Sequence, residues 1–230
     1  MLLECKNVCK SYGNKEVLKN INLSLPAGKI VGLLGKNGSG KTTLIKAING
    51  LLSIDSGEIL IDGKEVGVES KKIISYLPER NYLNVHEKVK DIIDYFNDFY
   101  EDFDKDKVYK LLNNLDIQAE DKLTTMSKGM REKVQLSLVM GRKARLYILD
   151  EPMGGVDPAT RDYILDTILN NFDDGATILM STHLISDIER VLDEVVFIDN
   201  GQITRCESAE KLREETGKSI DEVFREDFKC

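Results

Sequence analysis

The sequence predicts an α/β fold whose core is a mainly parallel sheet, with an antiparallel β subdomain at the N-terminus and a helical insertion. Three observations support this prediction. Short apolar runs of buried-strand type, at residues 30–34, 146–149 and 177–180, alternate with amphipathic helical patterns. Strand patterns and hairpin turns fill the N-terminal quarter. Charged helical patterns fill about residues 82–145.

A chain of 230 residues is long enough for one α/β domain with a full hydrophobic core. The sequence has no internal repeat, low-complexity tract or linker, which favours one compound domain. We therefore predict a main domain over residues 1–205, with its helical subdomain at about 82–145, and a charged helical tail over residues 206–230. The apolar residues expected to anchor the tail are Leu212, Ile220, Val223 and Phe224.

Composition and charge exclude several classes of function. A net charge of −8 and a pI near 5.0 argue against a nucleic-acid surface, which needs concentrated Lys and Arg. No apolar run is long enough to span a bilayer, and the first residues lack the pattern of a signal peptide. We therefore expect a cytosolic protein whose cysteines are thiols. These cysteines are Cys5, Cys9, Cys206 and Cys230.

Two turn pairs predict hairpins. Asp62-Gly63 follows a short apolar run, and Asn200-Gly201 follows a strand predicted at residues 195–198. Asx-Gly pairs favour the tight turns that join antiparallel strands, because both residues tolerate a positive φ. The sequence therefore predicts an antiparallel pair at each of these positions.

A glycine-rich loop follows the apolar run at residues 30–34 and matches the Walker A pattern. Glycines allow backbone N–H groups to close around phosphate oxygens, and the following helix N-terminus adds partial positive charge. Lys41 is expected to contact the β- and γ-phosphates, and Thr42 to hold Mg²⁺. The alternative is a glycine turn with an incidental lysine. The loop residues are Gly35, Lys36, Asn37, Gly38, Ser39, Gly40, Lys41 and Thr42, followed by Thr43. The helical pattern after them consists of Leu44, Ile45, Ile48, Leu51 and Leu52.

Two adjacent carboxylates, Asp150 and Glu151, follow the apolar run at residues 146–149. A buried parallel strand delivers groups at its carboxyl end to the ligand crevice. Asp150 therefore suits a Mg²⁺ shell, and Glu151 suits a general base that polarises the attacking water. Adjacent carboxylates after a strand also occur as a solvated turn, but a nearby phosphate-binding loop weakens that alternative.

Two further positions have open interpretations. His183 follows the run at residues 177–180 and is expected in the same crevice, although an isolated histidine is more often structural. Ser127, in Ser127-Lys128-Gly129, precedes a predicted helix. It is either a helix N-cap or part of a second anion site at that helix N-terminus.

In this order the motifs resemble those of the ATP-binding subunits of ATP-binding-cassette (ABC) transporters, and the resemblance covers essentially residues 2–205. Residues 146–150 look like Walker B, and residues 154–157 look like the D-loop. Residues 126–130 look like the signature loop. The resemblance implies that Tyr12 stacks on adenine, that Glu151 is the catalytic glutamate and that His183 is the switch histidine.

The resemblance also implies cofactors and partners, namely ATP, Mg²⁺, a separate integral membrane subunit and a second ATPase subunit, identical or different. Ser127 and Gly129 would meet the γ-phosphate held by the opposite subunit, so that two ATP molecules lie between head-to-tail subunits. The protein would then sit on the cytoplasmic face of the cell membrane and bind no nucleic acid. The pattern is similar to that of bacterial ABC-2 exporter cassettes.

The sequence departs from the family pattern in three motifs. The signature reads Met126-Ser127-Lys128-Gly129-Met130 in place of Leu-Ser-Gly-Gly-Gln, and Gly154 replaces a polar D-loop residue. Glu79 occupies the Q-loop position where glutamine is usual. A carboxylate still approaches a cation, so Glu79 is expected to act in catalysis and at the metal, with Thr42 and Asp150, but it donates no amide hydrogen bond.

Two rival functions remain on the sequence evidence. A cassette ATPase acting on nucleic acid or the ribosome is disfavoured by the acidic charge, by the short distance between the phosphate loop and the signature, and by the single set of motifs. A regulatory module that binds ATP but turns it over slowly is consistent with the altered signature loop. The chain is therefore expected to hydrolyse ATP and to power a transporter, with an exporter favoured.

Overall fold

The computed structural model describes residues 1–228, and within that range ten strands form two sheets. The strands in chain order are β1 Leu3–Tyr12, β2 Lys15–Leu25, β3 Ile30–Leu34, β4 Ser56–Ile61, β5 Lys64–Glu65, β6 Ile74–Leu77, β7 Leu146–Asp150, β8 Thr177–Thr182, β9 Glu194–Asp199 and β10 Gln202–Ser208. The helices are α1 Lys41–Ile48, α2 Val68–Ile73, α3 Val89–Phe99, α4 Lys105–Asn113, α5 Lys128–Met140, α6 Pro158–Asn171, α7 Ile185–Ile188, α8 Ala209–Thr216 and α9 Ile220–Asp227.

The two sheets confirm the predicted fold class. The smaller sheet has the order β2-β1-β4-β5 and is antiparallel throughout. The larger sheet has the order β10-β9-β3-β8-β7-β6, and all of its pairs are parallel except β9 with β10. The strands β3, β7 and β8 lie side by side, so their carboxyl ends open onto one edge of the sheet.

The larger sheet is buried on both faces, which explains the continuous apolar runs of its strands. Along β7, Tyr147 and Leu149 pack in one core cluster with residues of α6, whereas Leu146 and Ile148 pack in another with residues of α1. Side chains of a strand alternate between the two faces. The strand is therefore held from both sides, and the residues at its end are fixed with it.

Helix α5 connects the helical insertion to this sheet. Its residues Val134 and Leu138 belong to the core of the insertion, while Leu136, Val139 and Met140 belong to the core under the sheet. The helix thus packs on both sides along its length.

The predicted hairpins are present, and both turn pairs have the left-handed backbone that such turns require. Asp62 and Gly63 have φ values of 53° and 74°, and Asn200 and Gly201 have values of 44° and 80°. The second hairpin joins β9 to β10, whose bounds the sequence analysis did not predict. Because β10 continues to Ser208, the first residues of the predicted helical tail are strand instead.

The rest of the tail forms α8 and α9, which pack on the sheet. All four predicted anchors are buried, and the Phe224 ring lies 5.4 Å from the Phe197 ring of β9. The Lys36 ammonium donates a hydrogen bond to the Phe228 carbonyl oxygen at 2.8 Å. Residues 229 and 230, and with them Cys230, lie outside the described residues.

One helical prediction was wrong. The pattern after the glycine loop included Leu51 and Leu52, but α1 ends at Ile48. Gly50 has a φ of 64°, a left-handed conformation that terminates helices. Leu51 is 60% exposed. Beyond this local difference, none of the helices within residues 1–228 combines the length and apolar character that a membrane span needs.

Candidate functional site

The glycine-rich loop joins β3 to α1 at the carboxyl edge of the parallel sheet. Gly38 and Gly40 have φ values of 80° and 113°, which side chains rarely permit. A Cβ atom at Gly35 would lie 2.4 Å from the Ile198 carbonyl oxygen. Helix α1 starts without a side-chain cap at Gly40. Its first N–H groups therefore remain available to an anion, as expected for a phosphate loop.

Lys41 lies folded over its own loop. Its side chain is almost fully buried, and its Nζ donates hydrogen bonds to the carbonyl oxygens of Gly35 at 2.7 Å and Lys36 at 3.3 Å. The same Nζ lies 3.4 Å from the Glu151 Oε1. The ammonium group is thus held beside the loop by two carbonyl oxygens and one carboxylate.

Asp150 lies at the end of β7, in contact with the first turn of α1. Its Oδ1 accepts hydrogen bonds from Ser181 Oγ at 2.6 Å and Thr42 Oγ1 at 3.3 Å. Within residues 1–228 its buried Oδ2 accepts no hydrogen bond. Burial raises the pKa of the Asp150 carboxyl, and the negative charges of Glu79 and Glu151 add to this effect.

This arrangement fits a divalent cation. A buried carboxylate oxygen that lacks a donor is costly unless a cation or water satisfies it. Asp150 and the Thr42 hydroxyl are oxygen groups of the type that Mg²⁺ prefers. Glu79 lines the adjoining cavity, but among the described residues it makes no hydrogen bond to either of them. Thr42 and Asp150 would therefore be the first protein ligands of a cation at this position.

Glu151 has a strained backbone and a carboxylate held from two sides. Its φ of 51° is unusual for a residue with a side chain and is typical of functional sites. Its N–H donates to the carbonyl oxygen and the Oγ of Ser181, at 3.1 and 3.0 Å. Its Oε2 lies 2.8 Å from His183 Nδ1. An ionised carboxylate in this pair accepts the hydrogen bond from a protonated Nδ1.

Lys41, Glu151 and His183 line a common cavity of about 1060 Å³. The cavity extends to the exposed ring of Tyr12. The predicted residues that line it are Tyr12, Asn37, Gly38, Gly40, Lys41, Thr42, Thr43, Glu79, Glu151 and His183. Its volume is sufficient for a nucleoside triphosphate, and its lining includes both an aromatic ring and residues of the phosphate loop.

Some predicted site residues lie elsewhere. The Lys36 side chain reaches towards the C-terminal helix through its bond to the Phe228 carbonyl. Ser127 is the N-cap of α5, and its Oγ accepts a hydrogen bond from the Met130 N–H at 3.2 Å. A Cβ atom added at Gly129 would meet no atom of the described residues within 4 Å. Ser127 and Gly129 are not among the residues that line the cavity of their own chain.

Ser181 is a residue of the candidate site that the sequence analysis missed. It contacts both Asp150 and the Glu151 backbone, so it fixes the two carboxylates relative to β8. A signal was present, because Ser181 lies at the end of β8, two positions before His183. Polar residues at the carboxyl ends of parallel strands face the ligand crevice.

Comparisons with known proteins agree with this geometry. Residues 18–154 match the sequence profile of the family described as ABC transporter. The ABC transporter ATP-binding protein YtrB of Bacillus subtilis (strain 168) is 32% identical over 217 residues, which cover 93% of this chain and 74% of that protein. The lantibiotic transport ATP-binding protein SrtF of Streptococcus pyogenes is 30% identical, over 88% of this chain and 89% of that protein.

A solved structure extends the similarity to nearly the whole chain. The structure of an ATP-binding subunit of an ABC transporter superposes with a TM-score of 0.88 at 30% sequence identity. The match covers 98% of this chain and 99% of that chain. The similarity therefore includes the helical insertion and the C-terminal helices as well as the phosphate loop.

Proposed function

The chain belongs to the ABC transporter family of ATP-binding subunits, and from this premise we propose that it drives export through a separate integral membrane subunit. It binds and hydrolyses ATP, as the family does. The proposal of export is supported by the relative SrtF, a lantibiotic transport protein. We further propose that it works on the cytoplasmic face of the membrane, where ATP is available, with residues 1–205 as the ATPase domain.

We propose the following arrangement for ATP. The adenine stacks on Tyr12, and the phosphates lie in the loop from Gly35 to Thr42, where backbone N–H groups and the start of α1 face them. Lys41 leaves the carbonyls of Gly35 and Lys36 and pairs with the β- and γ-phosphates, whose oxygens carry full charge. Thr43 lies in the first turn of α1 and lines the cavity. The observed 2.7 Å bond to Gly35 would then be exchanged for a phosphate contact.

The movement of Lys41 has a consequence for Glu151. Without nucleotide, the Glu151 carboxylate is paired with both Lys41 and His183. Once Lys41 turns to the phosphates, one carboxylate oxygen is released and accepts a proton from water. Glu151 acts as the general base, while His183 holds the other oxygen and orients the carboxylate. ATP binding thus prepares its own hydrolysis.

Thr42 and Asp150 are the residues that we propose for Mg²⁺, with Glu79 near them. The unpartnered Asp150 Oδ2 supports this assignment. When bound, the cation neutralises charge on the transferring phosphoryl group. Ser181 holds Asp150 in position through its 2.6 Å hydrogen bond, which keeps the carboxylate aligned with the first turn of α1.

We propose that two subunits form the active unit. Ser127 and Gly129 lie at the start of α5, outside the nucleotide cavity of their own chain. These two residues would contact the γ-phosphate of the ATP that a second subunit, identical or related, binds. Lys128, in the position of a family glycine, lines the cavity of its own chain, and its Nζ lies 3.5 Å from Glu132 Oε1.

One observation carries the proposed function: Lys41 and His183 converge on the Glu151 carboxylate, beside Asp150. The direct test is phosphate release by the purified chain with Mg²⁺ and ATP, together with purification from membranes and identification of the bound integral protein. We expect hydrolysis and an integral membrane partner. Stimulation by ribosomes or DNA, with no membrane partner, would contradict the transport assignment, and very slow release at saturating ATP would indicate a regulatory module.

Glu79 provides a separate prediction. Replacing Glu79 with Gln is expected to raise the Mg²⁺ concentration for half-maximal ATPase activity by about threefold to tenfold, because one nearby negative charge is lost. The measurement is the ATPase rate as a function of free Mg²⁺. The exposed Glu58→Gln variant, which changes a carboxylate on β4, is the control. An unchanged Mg²⁺ dependence in Glu79→Gln would show that the charge of Glu79 is not used.

A further inference from the structure

A small cavity adjoins Glu151 on the side of helix α5. It has a volume of about 30 Å³ and lies between α5, the segment after β6 and the turn that follows β7. Its polar lining includes Glu79, Glu132, Gln135 and Glu151. The cavity thus separates α5 from the residue proposed as the general base.

Two side chains of this lining end in buried oxygen atoms without a donor. Gln135 is 2% exposed, and its Oε1 accepts no hydrogen bond from any residue that the structure describes. The same is true of the Glu132 Oε2, whose companion oxygen Oε1 lies 3.5 Å from Lys128 Nζ. Buried acceptors of this kind are rare because the loss of hydration is not compensated. Two of them beside one cavity indicate a bound hydrogen-bond donor.

The neighbouring side chains do not supply that donor. Glu79 and Glu151 are themselves acceptors when ionised. The Asn81 amide donates to the Arg131 carbonyl oxygen at 3.1 Å and, within residues 1–228, not to Gln135 Oε1 or Glu132 Oε2. Among residues 1–228, no three Asp, Glu, His or Cys side chains are grouped closely enough to hold a metal ion. A donor that fits a cavity of about 30 Å³ has the size of a water molecule.

We propose that one or two water molecules bind in this cavity and donate hydrogen bonds to Gln135 Oε1 and Glu132 Oε2. A buried water needs roughly 10–15 Å³ and two or more polar partners, so the cavity provides both. One water has two O–H donors, which match the two acceptors. A second water would extend the bridge to the Glu79 or Glu151 carboxylate.

The bridge gives Gln135 and Glu132 a role in the reaction. This role rests on the proposed function of Glu151. Helix α5 begins at the loop that is proposed to meet the nucleotide of the second subunit, and both residues lie within its first three turns. Water held by them connects this helix to the strained Glu151 turn. Gln135 and Glu132 are therefore positioning residues, which align the carboxylate when α5 is in place.

The test combines one substitution with a crystal structure. Gln135→Leu keeps a similar volume but removes the acceptor. We expect its kcat to fall about tenfold with the KM for ATP nearly unchanged, because the carboxylate is misaligned while the nucleotide contacts persist. Its melting temperature should not fall, since a buried unpaired acceptor is removed. Ser137→Ala, on the same helix, is the control, because Ser137 Oγ donates to Lys133 within the helix and does not line the cavity.

The crystal structure tests the water without reference to activity. High-resolution diffraction from the wild-type protein should show ordered water within hydrogen-bond distance of Gln135 Oε1 and Glu132 Oε2, and this density should be lost or displaced in Gln135→Leu. A dry cavity in the wild-type protein, or a Gln135→Leu variant with unchanged kcat, would overturn the inference. If the wild-type protein hydrolyses no ATP, the proposed function fails, and the density alone decides the water site.

Discussion

Replacing Glu151 with Gln is expected to lower kcat for ATP hydrolysis by about 100-fold or more, while ATP binding persists. A positioned general base typically contributes 10²–10⁴-fold, and glutamine accepts no proton from water. The amide keeps the size of the side chain and removes a negative charge 3.4 Å from the Lys41 ammonium. Lys41 is then freer to pair with phosphate, so the affinity for ATP should be unchanged or higher.

The slow step in this variant should also be visible in its assembly. Because the nucleotide is bound but not cleaved, we expect ATP to trap a stable dimer in Glu151→Gln and not in the wild-type protein. Size-exclusion chromatography with Mg²⁺ and ATP measures the dimer, and single-turnover phosphate release measures the chemistry. The Glu58→Gln variant on β4 serves as control. Rapid turnover by Glu151→Gln would remove Glu151 from the role of base.

The sequence predicted the parts of this site that depend on local rules. The loop glycines, the buried run of β3 and the Asn200-Gly201 turn each encode a backbone conformation within a few residues. The carboxylates at the end of β7 follow from one rule about parallel sheets. These features need no knowledge of which strands are neighbours.

The features that were missed depend on contacts between distant segments. Ser181 becomes important only because β8 lies beside β7, which brings its hydroxyl to Asp150. Strand β6 has only four residues and pairs along one side with β7, so its pattern is too short to distinguish it from a loop. The Glu151 backbone has a positive φ, and its N–H donates to the carbonyl oxygen and the Oγ of Ser181 on the neighbouring strand. Such constraints appear only when the sheet order is known.

The helical tail illustrates the same limit. Its apolar anchors were predicted correctly from the sequence, but the contact of its last described residue with the phosphate loop was not. The bond from Lys36 to the Phe228 carbonyl joins residues 192 positions apart. Phe224 and Phe228 stack with ring centres 4.1 Å apart, which keeps this carbonyl near the loop. The side chain of this loop lysine is thus directed to the end of the tail.

Replacing Lys41 with Ala is expected to weaken ATP binding by about 10- to 100-fold. A hydrogen bond to a charged group contributes about 1.5–3 kcal/mol, and each 1.4 kcal/mol changes a dissociation constant tenfold. The variant also leaves the nearly buried Glu151 carboxylate with His183 but without its lysine, so negative charge near the phosphates is no longer balanced. Both effects act in the same direction.

The measurement is calorimetric titration of the variant with a non-hydrolysable ATP analogue and Mg²⁺, after circular dichroism has established that the protein is folded. Lys46→Ala is the matched control, because Lys46 lies on the same helix α1 with an exposed side chain. Lys41→Arg separates charge from shape: it keeps the positive charge, but a guanidinium is larger than the ammonium that fits between the Gly35 and Lys36 carbonyls. We expect Lys41→Arg to bind ATP more weakly than the wild-type protein and more tightly than Lys41→Ala. Equal affinity in all four proteins would show that Lys41 does not contact the phosphates, and the role of the loop would have to be reassigned.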